Sequence, residues 1–459
     1  MADVVKEKSL GGQLAGLTVS IEEMIDKAKA TGEIQAEEEL QFRWKVDNFQ
    51  YTDNGISGVK AHAEYPSKRI WFRASRKILE QVKQTAGYTS LVESLRPYYE
   101  EDKDPAVDAE SFVQKVIDAF LNPPEKRGPQ IDSIIINFLA DLDEEPVKYG
   151  AEVELEGIIL RSKSIDPAFG IELRQPRIED LEKETPAYMP SIRSPFLPNP
   201  SAFLRIEFLG RGVREVQIRI YQAITILRLF RVGSVKYVSY RTFSDSVMDR
   251  MAGGILSAGA RESALEKYLV TVDDEPKLRK FWQAIFNTLP SSLLEFEQTK
   301  ADHVTIAYTR YSDALLQNGL TERRIANAIM GMESLYLKGG ETQELVYRLC
   351  LRSSKLLRIL GFDHHDVRRH LADAYRIRNL FAHGSQLGYK DRRKLDLKYK
   401  DLKNLLLTVL DYLRISIVSV ILLRKGKDEL IDILDDSLID DQKQQLLSSW
   451  LSSAKDLLS

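Results

Sequence analysis

The sequence predicts two fold classes in one chain: an α+β N-terminal region with short strands, followed by an all-α helical bundle. Three observations predict this. Between about 130 and 245, apolar residues recur at even spacing, the strand period, as in Val153, Leu155 and Ile159. After about 275 the spacing turns to three and four, the helix period, as in Ile325, Ile329, Met332 and Tyr336. At 459 residues the chain also exceeds one ordinary domain. The expected division is an N-terminal mixed and helical region over 1–130, an α/β domain of sensing or regulatory type over 131–245, a linker and connecting helix over 246–274, and a helical domain over 275–459.

Composition narrows the class. Hydrophobic residues make up 43% and charged residues 29%, which is globular rather than disordered. The net charge of −3 gives no global basic character, so a nucleic-acid surface would have to be a local patch. The single cysteine, Cys350, excludes an internal disulfide and a cysteine metal cluster. Its setting between Leu349 and Leu351 predicts a buried thiol, and a reducing cytoplasm is the expected compartment. Residues 1–17 lack the long apolar core of a signal peptide. The most apolar stretch, 405–423, carries Asp411 and Arg414 near its middle. Charges there are costly in a bilayer, so a core or dimer helix is expected, with no membrane partner.

Taken in order, residues 1–40 read as peripheral, with a short helix over 21–30. Residues 41–46 alternate as a strand. Asp53-Asn54-Gly55 turns it toward a partner over 58–63. Helices are expected over 78–86 and 109–121, the second marked by Phe112, Val116 and Phe120 and stopped at Asn122-Pro123-Pro124. Strands follow near 153–159, 170–173, 202–209 and 235–240. Pro190, Pro195, Pro198 and Pro200 mark a loop, and Ile220, Ile224, Leu227 and Phe230 a helical stripe. Gly253-Gly254 and Gly259 mark a joint, after which everything reads as helix. Asp274-Glu275-Pro276 starts one helix. A second runs after Pro290 to Leu316, stopped by Asn318-Gly319, and Thr321 caps the next. Leu345 to Leu360 form a helix ended by Gly361, and Asp363 or Asp366 caps the one after it. A long helix over 395–424 and two short ones complete the bundle. The four tryptophans, Trp44, Trp71, Trp282 and Trp450, read as core residues.

One polar cluster interrupts these apolar helices: Tyr375-Arg376-Ile377-Arg378-Asn379-Leu380-Phe381-Ala382-His383-Gly384. On a continuous helix Arg378 and His383 lie roughly 140° apart, at ~100° per residue. Gly384 is a natural left-handed residue just past a helix end. The chain is expected to loosen there and swing the imidazole back toward the arginine. The residue types suit RNA cleavage without metal or cofactor. Histidine titrates near neutral pH and can take the proton of a 2′-hydroxyl. An arginine fork can hold the phosphoryl oxygens as charge builds on them. Asn379 can orient either partner through its amide. Arg376 and Tyr375 add a cation and an aromatic ring. Downstream, Lys390, Arg392, Arg393, Lys394, Lys398, Lys400 and Lys403 form a basic stretch able to track a phosphate backbone. The bland alternatives are a helix-end histidine that satisfies carbonyls and a solvated charged face.

Residues 378–384, Arg-Asn-Leu-Phe-Ala-His-Gly, fit the Arg, polar residue, three variable residues, His pattern of HEPN domains (higher eukaryotes and prokaryotes nucleotide-binding). Residues from about 300 to 425 resemble the ApeA-like branch of that family. The supporting segments are Arg310-Tyr311-Ser312-Asp313-Ala314-Leu315, Ile325 through Leu335, and Glu344-Leu345 through Leu357. The resemblance covers little more than a quarter of the chain. It implies a HEPN-type helical bundle that homodimerises through the C-terminal domain, with the two motif helices facing one composite cleft. It implies a metal-independent endoribonuclease in bacterial abortive anti-phage defence, answering a phage-derived trigger. By this carry-over Arg378 and His383 are the catalytic pair and Asn379 assists. Glu333 falls where some members carry an acidic helper.

The apolar surplus of 405–423 beyond one bundle face also favours a dimer. The alternative function is a non-catalytic RNA- or nucleotide-binding module that acts as a dimerising scaffold. His364, His365 and His370 lack the i,i+4 spacing of a helical zinc site, so no metal ligand set is assigned. Arg348, Arg352 and Arg358 are expected to line the cleft or solvate its helix.

Overall fold

The computed structural model describes residues 2–53, 55–100, 103–121, 127–182, 184–186, 200–249, 268–294, 302–317, 319–385 and 387–458. Its N-terminal region is α+β with short, mostly antiparallel strands, and its C-terminal region is mostly helical. The expected proline loop at 190–198, the Asn122-Pro123-Pro124 stop and the glycine joint at 253–259 lie outside the described residues.

The chain opens with helix α1 (Ala2–Ala30). It is neither short nor peripheral, contrary to expectation. Leu10, Leu14, Leu17, Ile21, Ile25 and Ala28 recur every three or four residues and are all buried. Gly11, Gly12 and Gly16 interrupt that stripe in the sequence and disguise it, because glycine weakens helix propensity. A hairpin follows, β1 (Glu37–Thr52) with β2 (Gly55–Glu64), joined by β3 (Ser67–Ile70) along the other side of β1. Helices α2 (Phe72–Lys83), α3 (Ala86–Leu95), α4 (Ala106–Leu121) and α5 (Arg127–Leu142) pack with α1 around a core of their own. Residue 130 therefore falls inside α5.

The next layer is an antiparallel sheet. Its strands are β4 (Val147–Glu156), with the short continuation β5 (Ile158–Leu160), then β6 (Ser164–Ala168) and β7 (Ile171–Arg174). After α6 (Ile178–Leu181) and β8 (Glu184–Pro186), which pairs with β1, come β9 (Ala202–Gly210), α7 (Val213–Phe230) and β10 (Lys236–Ser244). The spatial order is β10-β4-β9-β7-β6. Ala202, Leu204 and Ile206 face the core, while Arg205 and Glu207 pair on the open face. Strand β11 (Tyr268–Val270) pairs in parallel with β5, so the chain is not all helix after the expected joint. Three residues are too few to set a period in the sequence, yet Tyr268 and Val270 are buried.

The helical region holds α8 (Glu275–Phe286), α9 (His303–Leu316), α10 (Thr321–Tyr336), α11 (Leu345–Ile359), α12 (His364–Ala382), α13 (Tyr389–Tyr399), α14 (Leu402–Leu423), α15 (Lys427–Asp436), α16 (Asp441–Trp450) and α17 (Ser452–Leu458). Several ends differ from expectation. Pro290 leads only into a 3-10 turn (Ser291–Leu293), and α9 starts later, where Asp302 accepts from the Thr305 N–H. Thr321 is the first helical residue rather than the cap. The long helix breaks at Lys400, which is left-handed, and Asp401 caps a new one. Three short helices close the chain, not two. Of the tryptophans only Trp282 is fully buried. Trp44, Trp71 and Trp450 are half-buried, as suits a large ring with a polar edge.

Helix α14 is the centre of this region. It is long and apolar enough to cross a bilayer by composition. Its apolar residues are buried by α7, α8, α9, α10, α12 and α17, all of this chain. The surplus is thus covered internally and no longer argues for a second copy. Arg414 sits within it. Its Nη1 donates to the carbonyls of Leu229 and Phe230 at 2.9 and 3.0 Å, and its Nη2 meets Asp411 at 2.7 Å. Those are the last carbonyls of α7, which have no partner inside their own helix. The sheet layer and the bundle consequently share one hydrophobic core. Tyr308 to Thr225, 3.0 Å, and Tyr311 to the Arg228 carbonyl, 2.9 Å, cross the same boundary.

Replacing Arg414 by Ala strands two buried carbonyls. The Arg414→Ala protein is expected to lose about 3 kcal/mol in urea unfolding, since an orphaned buried acceptor costs about 1–3 kcal/mol. Limited proteolysis should then separate the sheet layer from the bundle earlier than in the parent protein.

Candidate functional site

Helix α12 carries the polar cluster. Asp363 starts it by accepting the Asp366 N–H at 2.9 Å, one of the two caps expected. Val367, Leu371, Ala374, Tyr375 and Ile377 bury its inner face against α10, α11 and α14. It ends as the glycine predicts. Gly384 has φ +68°, its N–H bonds the Phe381 carbonyl at 3.0 Å, and the Ser385 N–H bonds the Leu380 carbonyl at 2.8 Å. These two bonds form a Schellman motif.

The loosening expected before the glycine does not occur. The His383 N–H still bonds the Asn379 carbonyl at 3.1 Å, so the helical register holds up to the histidine. Its imidazole is exposed, and among the described residues no hydrogen bond joins it to Arg378. Arg378 has moved in the other direction, toward the core. Its Nη2 donates to Glu333 Oε2 at 3.0 Å and its Nη1 to Asn379 Oδ1 at 3.2 Å. The side chains of Arg378 and Glu333 are 27% and 15% exposed. The Arg378 Nε is buried and has no hydrogen-bond partner among the described residues.

Tyr375, expected on the RNA-facing surface, is instead 4% exposed. Its position four residues after Leu371 on the buried stripe carried that signal. The ring lies 5.5 Å from the Arg378 guanidinium. Burial, and then the Glu333 charge facing its hydroxyl, push the Tyr375 pKa up to about 12. Glu333, Tyr375, Arg378 and Asn379 thus form one cluster between α10 and α12. Gly331 helps place Glu333. A Cβ there would stand 2.7 Å from the end of the Leu413 side chain and 3.3 Å from the Ala307 carbonyl, so glycine lets α10 approach α9 and α14 without displacing either.

The basic stretch lies alongside on α13, which has no buried residue. Ion pairs fasten it: Arg376 to Asp391 at 3.0 Å, Lys398 to Asp373 at 2.6 Å and Arg392 to Glu322 at 2.9 Å. These use up part of the expected positive patch. Lys390, Arg393, Lys394 and Lys400 remain exposed, with no ion pair among the described residues.

The histidines upstream do not converge. The His364 and His365 rings lie 4.0 Å apart and tilted to each other, while His370 Nδ1 meets the Tyr412 hydroxyl at 2.9 Å. Among the described residues, no group of three His, Cys, Asp or Glu side chains is placed to hold a metal ion. Arg352 does not line the cleft either. It is 2% exposed and binds Glu341, Asp435 and the Tyr336 carbonyl, while Arg348 joins it on Glu341. Hydrogen bonds from Arg352 hold the Glu341 carboxyl down at about 2. Cys350 is buried, and burial pushes its thiol up to about 11. No family model matches the chain, and no curated protein or solved structure does so either.

Two outcomes follow from this geometry. Gly384→Ala forces a side chain into a left-handed residue, at about 1–2 kcal/mol. Hydrogen exchange should show faster opening of the last turn of α12. His370 and His303 are pushed below the usual histidine value of 6.5, first by burial. Unfolding frees them to bind protons, so their contribution is full above pH 6.5 and is lost as pH falls below it. Urea titrations of the parent should weaken in that acid window, and the slope should flatten in His370→Gln.

Proposed function

We propose that the chain is a metal-independent endoribonuclease of the HEPN type, acting in the cytoplasm in bacterial abortive defence against phage. The observation that carries this reading is the partner set of Arg378. The fully buried arginines of the bundle donate to helix-end carbonyls: Arg324 to Ala314 and Leu315, Arg352 to Tyr336, and Arg414 to Leu229 and Phe230. Arg378 caps nothing. Its donors meet the side chains of Glu333 and Asn379, and its Nε has no partner among the described residues. An arginine held this way, with solvent on one side, is built to receive an oxyanion. His383 is exposed five residues further along α12.

In this reading His383 is the base that takes the 2′-hydroxyl proton. Arg378 neutralises the phosphoryl oxygens, and Asn379 fixes the fork. The oxygen attacks the adjacent phosphate and the bond to the 5′-oxygen of the next nucleotide breaks; that oxygen takes a proton from water and leaves as a 5′-hydroxyl, with a 2′,3′-cyclic phosphate on the other fragment. Lys390, Arg393 and Lys394 hold the RNA backbone beside the cleft, and the region before residue 245 senses a phage-derived trigger or restrains the nuclease. A second chain completes the cleft. The alternative, a non-catalytic RNA- or nucleotide-binding module acting as a dimerising scaffold, is favoured by one observation: no hydrogen bond links His383 to Arg378.

Purified protein incubated with RNA in EDTA separates the two. Arg378→Ala and His383→Ala are each expected to lose at least about 100-fold in cleavage rate, the usual size of a general-base or charge-stabilising contribution. Unchanged cleavage in both variants would sink the site assignment. RNA binding without cleavage points to the module. Sedimentation of the same samples should show a dimer, and a strict monomer would remove the shared cleft.

A further inference from the structure

We propose that Glu333 is a built-in competitor for the substrate's phosphate: its carboxylate holds part of the Arg378 fork in the resting protein and contends with the incoming anion for it. The identity of the anion rests on the ribonuclease reading above. The competition itself rests on the geometry of the fork.

A guanidinium grips a phosphate with two parallel donors, either Nε with Nη2 or Nη1 with Nη2. Both grips use Nη2. That is the nitrogen on which Glu333 sits, at 3.0 Å. Nη1 is taken by Asn379, and Nε is buried without a partner. Each terminal nitrogen carries two N–H groups, so Glu333 takes one of the two on Nη2 and competes with a phosphate for the nitrogen that both grips need. The Glu333 carboxylate also cancels the charge that would draw an anion in, at a distance where Coulomb attraction in a partly buried site is strong.

Exchange is feasible because Glu333 has a second donor in reach. The Tyr375 hydroxyl faces the same carboxylate from the same helix as Arg378. When Arg378 turns to a phosphate, Glu333 can turn to that nearby hydroxyl and is not left buried and bare. Arg378 in turn slides over the Tyr375 ring, which stays beneath its guanidinium. The three side chains act as a relay in which one anion replaces another. An isolated phosphate should therefore bind weakly, and a backbone held at several points by α13 should bind far better.

The test reads binding, not cleavage, so it stands whether or not the protein cuts RNA. The probes are inorganic phosphate and a 2′-O-methyl oligoribonucleotide, which lacks the attacking hydroxyl. Glu333→Gln is expected to bind both about tenfold more tightly than the parent, the factor that 1.4 kcal/mol represents. Tyr375→Phe removes the second donor, leaves Glu333 more firmly on Arg378, and should bind both more weakly. The double variant Glu333→Gln with Arg378→Ala should lose the gain. Thermal melts establish that each variant is folded. If Glu333→Gln does not fold, Glu333→Asp, which draws the carboxylate back by one methylene, should show a smaller gain. Equal or weaker binding by the folded Glu333 variants overturns the proposal and makes Glu333 a positioning residue that aims the fork. Tighter binding by Tyr375→Phe overturns the relay.

Discussion

A helix that ends inside a protein leaves its last carbonyls without donors, and this chain is built around supplying them. The problem arises because the bundle and the sheet layer share one core, so several helices stop where water does not reach. Arg414 answers it for α7, Arg324 for α9 and Arg352 for α10. Gln222 does the same for α8 through the Phe286 carbonyl at 2.7 Å. In each case a long side chain from one helix finishes another. An arginine suits the task, because its planar fork offers several donors and its charge complements the negative helix end.

This arrangement explains why α14 is apolar on nearly every face and still carries a charge. Its surface meets neighbours all round, so most positions must be aliphatic. At Arg414 the neighbour is the end of α7 rather than its flank, and the requirement switches from methyl groups to donors. Asp411, one turn earlier, balances the charge at 2.7 Å. Arg352 shows the same logic with two carboxylates, Glu341 and Asp435, tying the end of α10 to α15. Breaking such a site costs more than the bond itself, since the remaining groups stay buried without partners. The sheet layer therefore rests on the bundle through directional contacts as well as through shared apolar surface.

Local rules were enough for what is local. The stripe Ile325, Ile329, Met332 and Tyr336 placed α10, Asp363 placed the start of α12, and Gly361 and Gly384 placed two helix ends. The strand alternation of Ala202, Leu204 and Ile206 placed β9. What was not legible depended on partners distant in sequence. β11 is three residues long and exists because β5 waits beside it. Helix α1 hides its stripe behind three glycines. The break at Lys400 needs a left-handed residue that nothing in lysine predicts. In the site, the polar character of residues 375–384 was plain, and the pairing of Arg378 with Glu333 was not. The two residues are 45 apart, and only the packing of α10 on α12 brings them together. The cations around Tyr375 suggest a solvent-facing ring, whereas its spacing from Leu371 puts it on the buried side.

The regular end of α12 sharpens the geometry of the proposed chemistry. Because the helix keeps its register to His383, Arg378 and His383 stay roughly 140° apart around it, at ~100° per residue. One of them points inward toward Glu333 and the other outward into solvent. A single phosphodiester cannot easily touch both from one chain without unwinding the last turn, and the Schellman bonds at Gly384 and Ser385 oppose that. Under the ribonuclease reading, the base and the arginine that serve one phosphate then belong to two different copies of α12. Under that reading a second chain is needed not at the apolar helix α14, which this chain covers by itself, but at the polar end of α12. There the need for a partner comes from which way two side chains face, not from how much apolar surface is left over.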